Sequence, residues 1–385
     1  MTSLGHLIGR VASAAVRVLI APDCFGGTLT AVEVAQAVGR GWRRAVPTDE
    51  LVLRPLADGG PGFVAVLHAA LGGTVHTCQV TGPVGEPVLA RWLAHEGTGY
   101  VESAQACGLH LVPPDRRDAR TATSRGAGEL LAAVRDAGLG IAVVGLGGSA
   151  STDGGAGALA ALGAVAMDTE GRAVAPGGGA LARCARLAGP ARLDGMVLIA
   201  AADVTNPLLG RHGAAESFGP QKGAEPEQVR ELEAALTRWA DVLEEATGRV
   251  VRELPAAGAA GGLGAALLAL GAERVSGAQL VVRQTGLDHA LDAAELVVTG
   301  EGSFDWQSLR GKLITTVARG AARRGVPCVV LAGQVSVGRR EAAAVGVDAA
   351  YAAAELAGSV AAALADPGGT LEAVAEHAAR QWGGH

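Results

Sequence analysis

The chain of 385 residues is longer than most single domains, and its 49% hydrophobic content can fill a large core, so two domains are expected. A net charge of −6, with no Lys/Arg block interleaved with aromatic residues, argues against nucleic acid or an anionic membrane as a partner. The five cysteines are widely spaced in apolar contexts, which is typical of reduced core thiols. The longest run without Asp, Glu, Lys, Arg or His, 254–272, is mostly Gly and Ala, so no membrane-spanning helix is predicted. Gly9 and Arg10 interrupt the apolar N-terminal stretch, so a signal peptide is not predicted and a cytoplasmic location is expected.

Short β-branched runs alternate with Ala-rich amphipathic stretches, which predicts an α/β fold with a mainly parallel sheet. The first strand is predicted over 16–20, and a helix follows over 31–44, where Thr30 and Glu33 have capping-box spacing. Further strands are predicted at 51–53, 141–144, 197–201, 296–298 and 329–331. Further helices are predicted at 63–71, 127–137, 225–247, 313–324 and 371–381.

The segment 73–101 changes character, because it shows short alternating runs separated by turn residues. This pattern predicts a smaller, partly antiparallel unit. The first and last strand–helix units of the chain resemble each other. We therefore expect residues 1–72 and 288–385 to form one Rossmann-like domain with a mainly parallel sheet, and 73–287 to form an inserted mixed α/β domain.

Acidic residues beside glycine or proline follow several predicted strands: Asp23, Asp58, Asp203, Glu301 and Asp305. Ligands of open α/β sheets bind at the carboxyl ends of the strands. Each acid taken alone is more simply explained as a turn or cap residue. Several carboxylates converging on one edge would repel each other unless a cation were present. A Mg²⁺ ion held by one or two carboxylates and substrate phosphates meets that need, so the pattern predicts a metal–nucleotide crevice.

The stretch 145–155, GLGGSASTDGG, follows a predicted strand and precedes an Ala-rich helix. A strand, a glycine loop and a helix N-terminus together favour anion binding, because free N–H groups and the helix dipole face the ligand. A rival interpretation is a nicotinamide-dependent dehydrogenase. Gly145, Gly147 and Ala150 fit the G-x-G-x-x-A form of the dinucleotide fingerprint, and Asp168 lies about 20 residues on. The chain has no Walker A lysine pattern, so it is not a P-loop protein.

Two lysines stand in glycine-containing loops. Lys222 lies in a Gly/Pro loop just before a helix, where it could neutralise charge on a transferring phosphate. Lys312 follows Gly311 at the start of another predicted helix and is a candidate of the same kind. A solvated surface lysine explains each position equally well.

A set of motifs runs through nearly the whole chain: IAPDCFGGTLTAVEVAQAV, PLADGG, VTGPVGEPV, ESAQACGLHLVP, GLGGSASTDGGAGALAALG, ADVTNPLLG, FGPQKGA, GAAGGLGAALLALGA, TGEGSFDWQSLRGK and VPCVVLAG. In content and order it resembles the bacterial glycerate kinases of the first type. The resemblance implies ATP-dependent, Mg²⁺-requiring phosphorylation of glycerate to a phosphoglycerate, with 2-phosphoglycerate as the expected product. It also implies two α/β domains, one Rossmann-like and discontinuous, with the active site in the cleft between them.

For such a reaction, site roles can be assigned to residues of these motifs. We expect the cofactor-binding residues to be Gly147, Gly148, Ser149, Asn206 and Gln221. We expect Mg²⁺ to be held, directly or through water, by Asp203 and Glu301. We expect the catalytic residues to be Asp58 or Asp153 as proton acceptor, with Lys222 and Lys312 offsetting charge on the migrating group.

The chain departs from the family pattern at three strand ends. Gly26 stands where the family has a lysine, Pro61 and Phe63 interrupt ADGGEGT, and Ser303, Phe304 and Ser308 interrupt GEGRxDxQT. Because the acids are retained, an active variant subgroup is favoured over an inactive relative. Two alternatives stay open: a kinase for a related small hydroxy acid or polyol, and a non-catalytic nucleotide- or metabolite-binding protein. The expected partner is a small-molecule substrate, and a homodimer is left open.

Overall fold

The structure is a computed structural model, and it describes residues 15–310 and 313–383. These residues divide into two compact units. Unit 1 contains the described residues up to Pro55 and from Asp288 onward, and unit 2 contains Leu56–Leu287. The stretch 56–72, which the sequence pattern groups with the first domain, belongs to unit 2.

The strands follow the predicted positions closely and include several short ones that the sequence did not indicate. In chain order they are β1 (Arg17–Ile20), β2 (Glu50–Leu53), β3 (Thr74–Thr81), β4 (Pro87–His95), β5 (Thr98–Glu102), β6 (Ile141–Gly145), β7 (Val165–Met167), β8 (Arg186–Ala188), β9 (Val197–Ala201), β10 (Glu273–Val275), β11 (Leu296–Phe304), β12 (Cys328–Val335) and β13 (Ala349–Ala352).

The α-helices surround these strands. In chain order they are α1 (Ala31–Ala45), α2 (Phe63–Leu71), α3 (Ala104–Cys107), α4 (Arg125–Asp136), α5 (Ala156–Ala161), α6 (Ala214–Phe218), α7 (Pro226–Thr247), α8 (Ala259–Ala269), α9 (Gly277–Thr285), α10 (Leu287–Ala293), α11 (Leu313–Ala322), α12 (Arg339–Ala344), α13 (Ala353–Ala357), α14 (Val360–Ala365) and α15 (Pro367–Trp382). Within the described part of the chain, no helix is long and apolar enough to cross a membrane.

Unit 1 contains a five-stranded parallel sheet in the order β2-β1-β11-β12-β13. Its central strands are apolar runs such as Val18–Ile20, as expected for strands covered on both faces. The chain leaves β1 to one side for β2 and returns to the other side for β11. The sheet therefore has a topological switch point between β1 and β11, which is where doubly wound sheets bind ligands.

Helix α1 shows how local sequence signals set this unit. The Thr30 hydroxyl accepts a hydrogen bond from the Glu33 N–H at 3.2 Å, and the Glu33 carboxylate accepts one from the Thr30 N–H at 2.8 Å. This confirms the predicted capping box. The apolar stripe of Val34, Val38 and Trp42 is buried in the core of the unit.

Unit 2 contains a six-stranded mixed sheet in the order β10-β9-β6-β5-β4-β3. Strands β3, β4 and β5 form an antiparallel meander, whereas β5, β6, β9 and β10 run parallel. The predicted antiparallel pairing in 73–101 is confirmed by β3, β4 and β5, but this meander is not a unit of its own, because β5 pairs with β6 and joins it to the parallel strands.

One predicted strand end was also misplaced. The sequence indicated that the strand at 296–298 stops before Glu301, but β11 continues to Phe304. A Cβ added at Gly300 would lie 2.0 Å from the Leu331 carbonyl oxygen, so glycine permits the close pairing of β11 with β12 there. Glycine in this motif therefore marks close strand packing rather than a loop.

Candidate active site

Three neighbouring parallel strands of unit 2 end at one edge of its sheet. Glu102 closes β5, the glycine loop 145–149 begins at the end of β6, and Asp203 follows β9. Because β9, β6 and β5 are adjacent in the sheet, these groups lie along one edge. This is the predicted location for ligand binding in such a sheet.

The glycine loop presents backbone donors at this edge. Within the described residues, the N–H groups of Gly147, Gly148 and Ser149 donate to no protein acceptor. Gly148 has a φ of +64°, a left-handed conformation that favours glycine and turns successive N–H groups toward one side. A concave set of unpaired N–H groups is an anion-binding feature.

The loop of Asp58 packs directly on the glycine loop. A Cβ added at Gly147 would lie 2.8 Å from Gly60 Cα, and one added at Gly148 would lie 2.9 Å from Pro61 Cγ. A side chain at Gly147 or at Gly148 would clash with the Asp58 loop, so both positions require glycine. The Asp58 side chain is exposed, and one of its oxygens accepts a hydrogen bond from the Gly60 N–H at 3.1 Å. The structure therefore brings Asp58 and the glycine loop together.

Two of the family departures are explained by local packing. Pro61 lies against the left-handed Gly148. Phe63 begins α2, is fully buried and packs edge-on against Tyr100 with ring centroids 6.5 Å apart. Both residues add apolar contact where the family pattern has polar groups.

The glycine loop is held in place by hydrogen bonds from the segment 103–109. Leu109 N–H donates to the Gly148 carbonyl at 2.7 Å, and Ala150 N–H donates to the Cys107 carbonyl at 2.7 Å. The Ser103 hydroxyl donates to the Gly145 carbonyl at 2.8 Å. These three hydrogen bonds hold the loop in the conformation observed.

Lys222 holds the same loop from inside the protein. Its side chain is only 3% exposed, and Nζ donates to Ser149 Oγ at 3.1 Å and to the Ser151 carbonyl at 2.6 Å. Burial lowers the pKa of Lys222 to about 8, opposed by the nearby Cys107 and Asp153. Burial also raises the pKa of the neighbouring Cys107 thiol to about 12. Lys222 is therefore not a surface lysine but an internal strut of the glycine loop.

Asp153 is fully buried, and hydrogen bonds surround it. Oδ2 accepts from the Ser124 N–H at 2.8 Å, the Ser124 hydroxyl at 2.9 Å and the Gly157 N–H at 3.2 Å, and Oδ1 accepts from the Gly155 N–H at 3.2 Å. Burial raises its pKa against these lowering hydrogen bonds. Asp153 thus occupies the N-terminus of α5 itself, so the predicted contribution of that helix end to the anion site was wrong. The loop N–H groups remain.

Asp203 has the geometry of a helix cap. Its carboxylate accepts hydrogen bonds from the Ser276 hydroxyl at 2.5 Å and the Ala278 N–H at 2.9 Å, at the start of α9. Asn206 is held within its own loop, where its amide donates to the His212 carbonyl at 2.7 Å and to Ser217 Oγ at 3.1 Å. Gln221 is exposed beside Lys222.

Glu102 is a strand-end acid that the sequence analysis missed. It is buried, and its carboxylate accepts a hydrogen bond from the Val64 N–H at 3.2 Å in the first turn of α2. Burial raises the pKa of Glu102. The available signal was its position directly after the apolar run of β5, which is the pattern shared by the selected acids.

The acids of unit 1 lie at the carboxyl edge of the parallel sheet. Glu301 is buried on β11, and Asp305 begins the turn after it, where its carboxylate accepts from the Gln307 N–H at 2.7 Å. Both line a cavity of about 430 Å³. Gly26 also lines this cavity, has nothing within 4 Å of an added Cβ and does not adopt a positive φ. Lys312 lies outside the described residues.

The two acids expected to hold Mg²⁺ belong to different units, with Asp203 in unit 2 and Glu301 in unit 1. The described residues contain no group of three or more His, Cys, Asp or Glu side chains arranged to hold a metal ion.

Asp168, the acid of the dinucleotide fingerprint, is used in its own turn. It accepts hydrogen bonds from the N–H groups of Glu170 and Arg172, both at 2.9 Å. In addition, α5 begins at Ala156, well after the glycine loop, whereas the fingerprint requires the loop to open the helix. The dehydrogenase interpretation finds no support in this geometry.

Two α/β units, one with loop N–H groups that have no protein acceptor among the described residues, are the features expected of an enzyme that handles phosphorylated ligands. Comparison with known proteins is more specific. Residues 18–383 match the model of the glycerate kinase family, so the chain belongs to that family. Family membership supports an enzyme that phosphorylates glycerate.

The relatives cover most of the chain. It is 45% identical to an uncharacterized protein of Mycobacterium tuberculosis, over 97% of this chain and 94% of that protein. It is 43% identical to the glycerate 2-kinase of Escherichia coli K12, over 83% of this chain and 86% of that protein. A protein assigned as glycerate kinase 2 from Salmonella typhimurium LT2 has a crystal structure that matches with a TM-score of 0.77 and 37% identity, covering 95% of this chain and 98% of that one. The predicted family and α/β fold class are confirmed.

Proposed function

We propose that this enzyme transfers the terminal phosphoryl group of ATP to the 2-hydroxyl of glycerate, giving 2-phosphoglycerate and ADP, with Mg²⁺ as the metal. The observation that carries the proposal is the glycine loop at 147–149, whose backbone N–H groups have no protein acceptor within the described residues. Phosphoryl transfer depends mainly on positioning and on stabilising charge on the oxygens of the migrating group. Fixed N–H donors supply both.

Asp58 is the proton acceptor in this proposal. It is exposed, and its loop packs on the glycine loop, so its carboxylate can reach a hydroxyl placed there. Asp153, the other candidate, is fully buried among hydrogen-bond donors. A carboxylate committed to those donors is a structural group.

Lys222 acts through the loop and does not touch the substrate. Its ammonium is enclosed by Ser149 Oγ and the Ser151 carbonyl, with Cys107 beside it. We assign it as a positioning residue that fixes the direction of the Ser149 backbone. Its positive charge also adds to the favourable potential at the loop.

Two carboxylates of this chain, Glu301 and Asp203, are the candidate ligands for Mg²⁺. Glu301 fits, because it is a buried carboxylate at a strand edge that lines a cavity. Asp203 fits only through water, because its carboxylate already caps α9. Mg²⁺ in kinases binds through one or two carboxylates and the substrate phosphates, so few protein ligands suffice. When bound, the ion offsets the charge of the phosphates.

The test is an acceptor screen with ATP and MgCl₂, with products assigned by phosphorus NMR. D-Glycerate should give 2-phosphoglycerate, and three- and four-carbon hydroxy acids and polyols should react more slowly. If another acceptor is phosphorylated faster, that acceptor replaces glycerate as the proposed substrate, and the related-acceptor alternative is supported. No phosphorylated product with any acceptor, from protein that binds ATP, would support the non-catalytic alternative.

A further inference from the structure

One cavity of unit 1 lies at its topological switch point. Of its lining residues, Cys24, Gly26 and Thr28 follow β1, whereas Glu301 and Ser303 belong to β11. The strand order β2-β1-β11-β12-β13 makes the β1–β11 junction the place where the winding reverses. Ligands of doubly wound sheets bind outside the strand ends at such a junction.

The two sides of the cavity differ chemically. One wall is apolar and comes from Ala353 of α13, from Val360, Ala363 and Leu364 of α14, and from Pro367 of α15. The other side carries the polar groups of Thr28, Ser303 and Gln334 and the two carboxylates. A volume of about 430 Å³ with one apolar wall and a few polar groups is typical of a site for a cofactor-sized organic ligand.

The negative charge of the cavity disfavours the anionic parts of the substrates, namely the phosphates of ATP and the carboxylate of glycerate. Glu301 and Asp305 are acidic, and among the described residues no Lys, Arg or His lines the cavity. The two carboxylates repel a bare phosphate or the carboxylate of glycerate. A neutral ligand with a flat apolar face and hydroxyl groups meets both walls.

We propose that this cavity binds the nucleoside of the phosphoryl donor, with the base against the α14 wall and the ribose toward Thr28 and Ser303. The inference rests on the proposed function for the identity of the donor. It assigns to unit 1 a binding role that is separate from the glycine loop of unit 2.

Thiol protection tests the site without turnover. Cys24 lines the cavity and is partly exposed, whereas Cys78 of unit 2 is partly exposed and lies outside it. Adenosine or ADP at ten times its Kd should slow alkylation of Cys24 by about tenfold, because the rate falls with the unoccupied fraction. Alkylation of Cys78, followed in the same digest by mass spectrometry, should not change.

A matched pair of variants locates the base. Leu364 is 55% exposed and lines the cavity, whereas Leu356 is 48% exposed and does not. Leu364→Ser should weaken adenosine binding by about fivefold, and Leu356→Ser should leave it unchanged. Protection of Cys24 by glycerate but not by adenosine, or equal effects of the two variants, would overturn the proposal. The protection assay measures binding directly and does not depend on turnover. If adenosine protects Cys24 in the wild-type enzyme but the enzyme does not phosphorylate glycerate, only the proposed function is refuted.

Discussion

The carboxyl edges of the two sheets differ in chemistry. In unit 2 the edge presents backbone N–H groups on a glycine loop, backed by the buried Lys222, beside the carboxylates of Glu102 and Asp203. In unit 1 the edge surrounds a cavity with an apolar wall and two carboxylates. The sequence places acids and glycines at both edges, and only the fold distinguishes the edge with N–H groups that have no acceptor among the described residues from the edge with an apolar wall and two carboxylates. We infer that the loop of unit 2 serves the chemical step and that the cavity of unit 1 serves nucleotide binding.

The largest expected effect concerns the proton acceptor of unit 2. Asp58→Asn should lower kcat by about 100-fold or more, since a positioned base contributes roughly 10²–10⁴ in rate. The melting temperature should stay near that of the wild type, because Asp58 is exposed. Asp153→Asn is the control and should instead lose about 3 kcal/mol of unfolding free energy, because it disturbs a fully buried hydrogen-bonded carboxylate. Kinetics and denaturation of both variants decide between the two acids.

The second prediction uses the pKa of Lys222, which burial lowers to about 8. Between about pH 8 and the ordinary lysine value of 10.5, Lys222 is neutral when folded and charged when unfolded. The unfolded state then binds more protons, so Lys222 makes stability rise with pH across this window, by about 3 kcal/mol at most. Cys107 makes stability fall as pH rises above 9, because its pKa in the folded protein is raised to about 12.

The contribution of Lys222 is therefore measured as the difference in unfolding free energy between the wild type and a variant without the lysine. Urea denaturation of the wild type and of Lys222→Met at pH 7, 8.5 and 10 should show the free-energy gap changing in favour of the wild type as pH rises. Cys107 is present in both proteins, so its contribution largely cancels. A gap independent of pH would mean that Lys222 is charged throughout and is not enclosed as described.

The third prediction concerns the conformation of the loop. Gly148→Ala places a Cβ at a positive φ and 2.9 Å from Pro61 Cγ, so the loop must shift. We expect kcat to fall about tenfold, equivalent to about 1.4 kcal/mol. Gly138→Ala has a similar positive φ with nothing within 4 Å of the new Cβ, so it carries the strain without touching the loop. An equal loss of kcat in both variants would remove the loop from the mechanism.

The smallest expected effect concerns the lysine that the family pattern has at position 26. Gly26 lines the cavity and its backbone accepts a side chain without strain, so Gly26→Lys should fold normally. The new ammonium would offset the repulsion between the two carboxylates and the phosphates of ATP, and so lower the KM for ATP by about fivefold, as expected for a partly exposed charge worth about 1 kcal/mol. The KM for glycerate should stay nearly constant. A fall in the KM for glycerate alone would assign this edge to the acceptor.

Much of the fold could be predicted from the sequence because local signals were strong. The capping box of α1 and the apolar runs of β1, β6 and β9 placed these elements to within a residue or two. The extent of β11 could not be predicted, since the same glycine pattern is typical of a loop and of a tightly paired strand. Only the position of its partner β12 distinguishes the two.

The site was harder to predict because burial is a tertiary property. Asp58 and Asp153 each stand directly before two glycines, yet one is exposed and the other is fully enclosed. Lys222 stands in a Gly/Pro loop typical of the surface, but its side chain is buried against the glycine loop. The sequence identified the right segments, and the packing of the side chains decided their roles.

The division of work between the two edges is tested most directly by steady-state kinetics of one variant from each. Gly148→Ala in unit 2 should lower kcat about tenfold with the KM for ATP changed by less than about threefold, because the loop contacts the migrating group. Leu364→Ser in unit 1 should raise the KM for ATP about fivefold with kcat nearly unchanged, because it weakens only nucleotide binding. The reverse pattern, in which the loop variant changes the KM for ATP and the cavity variant changes kcat, would contradict the account.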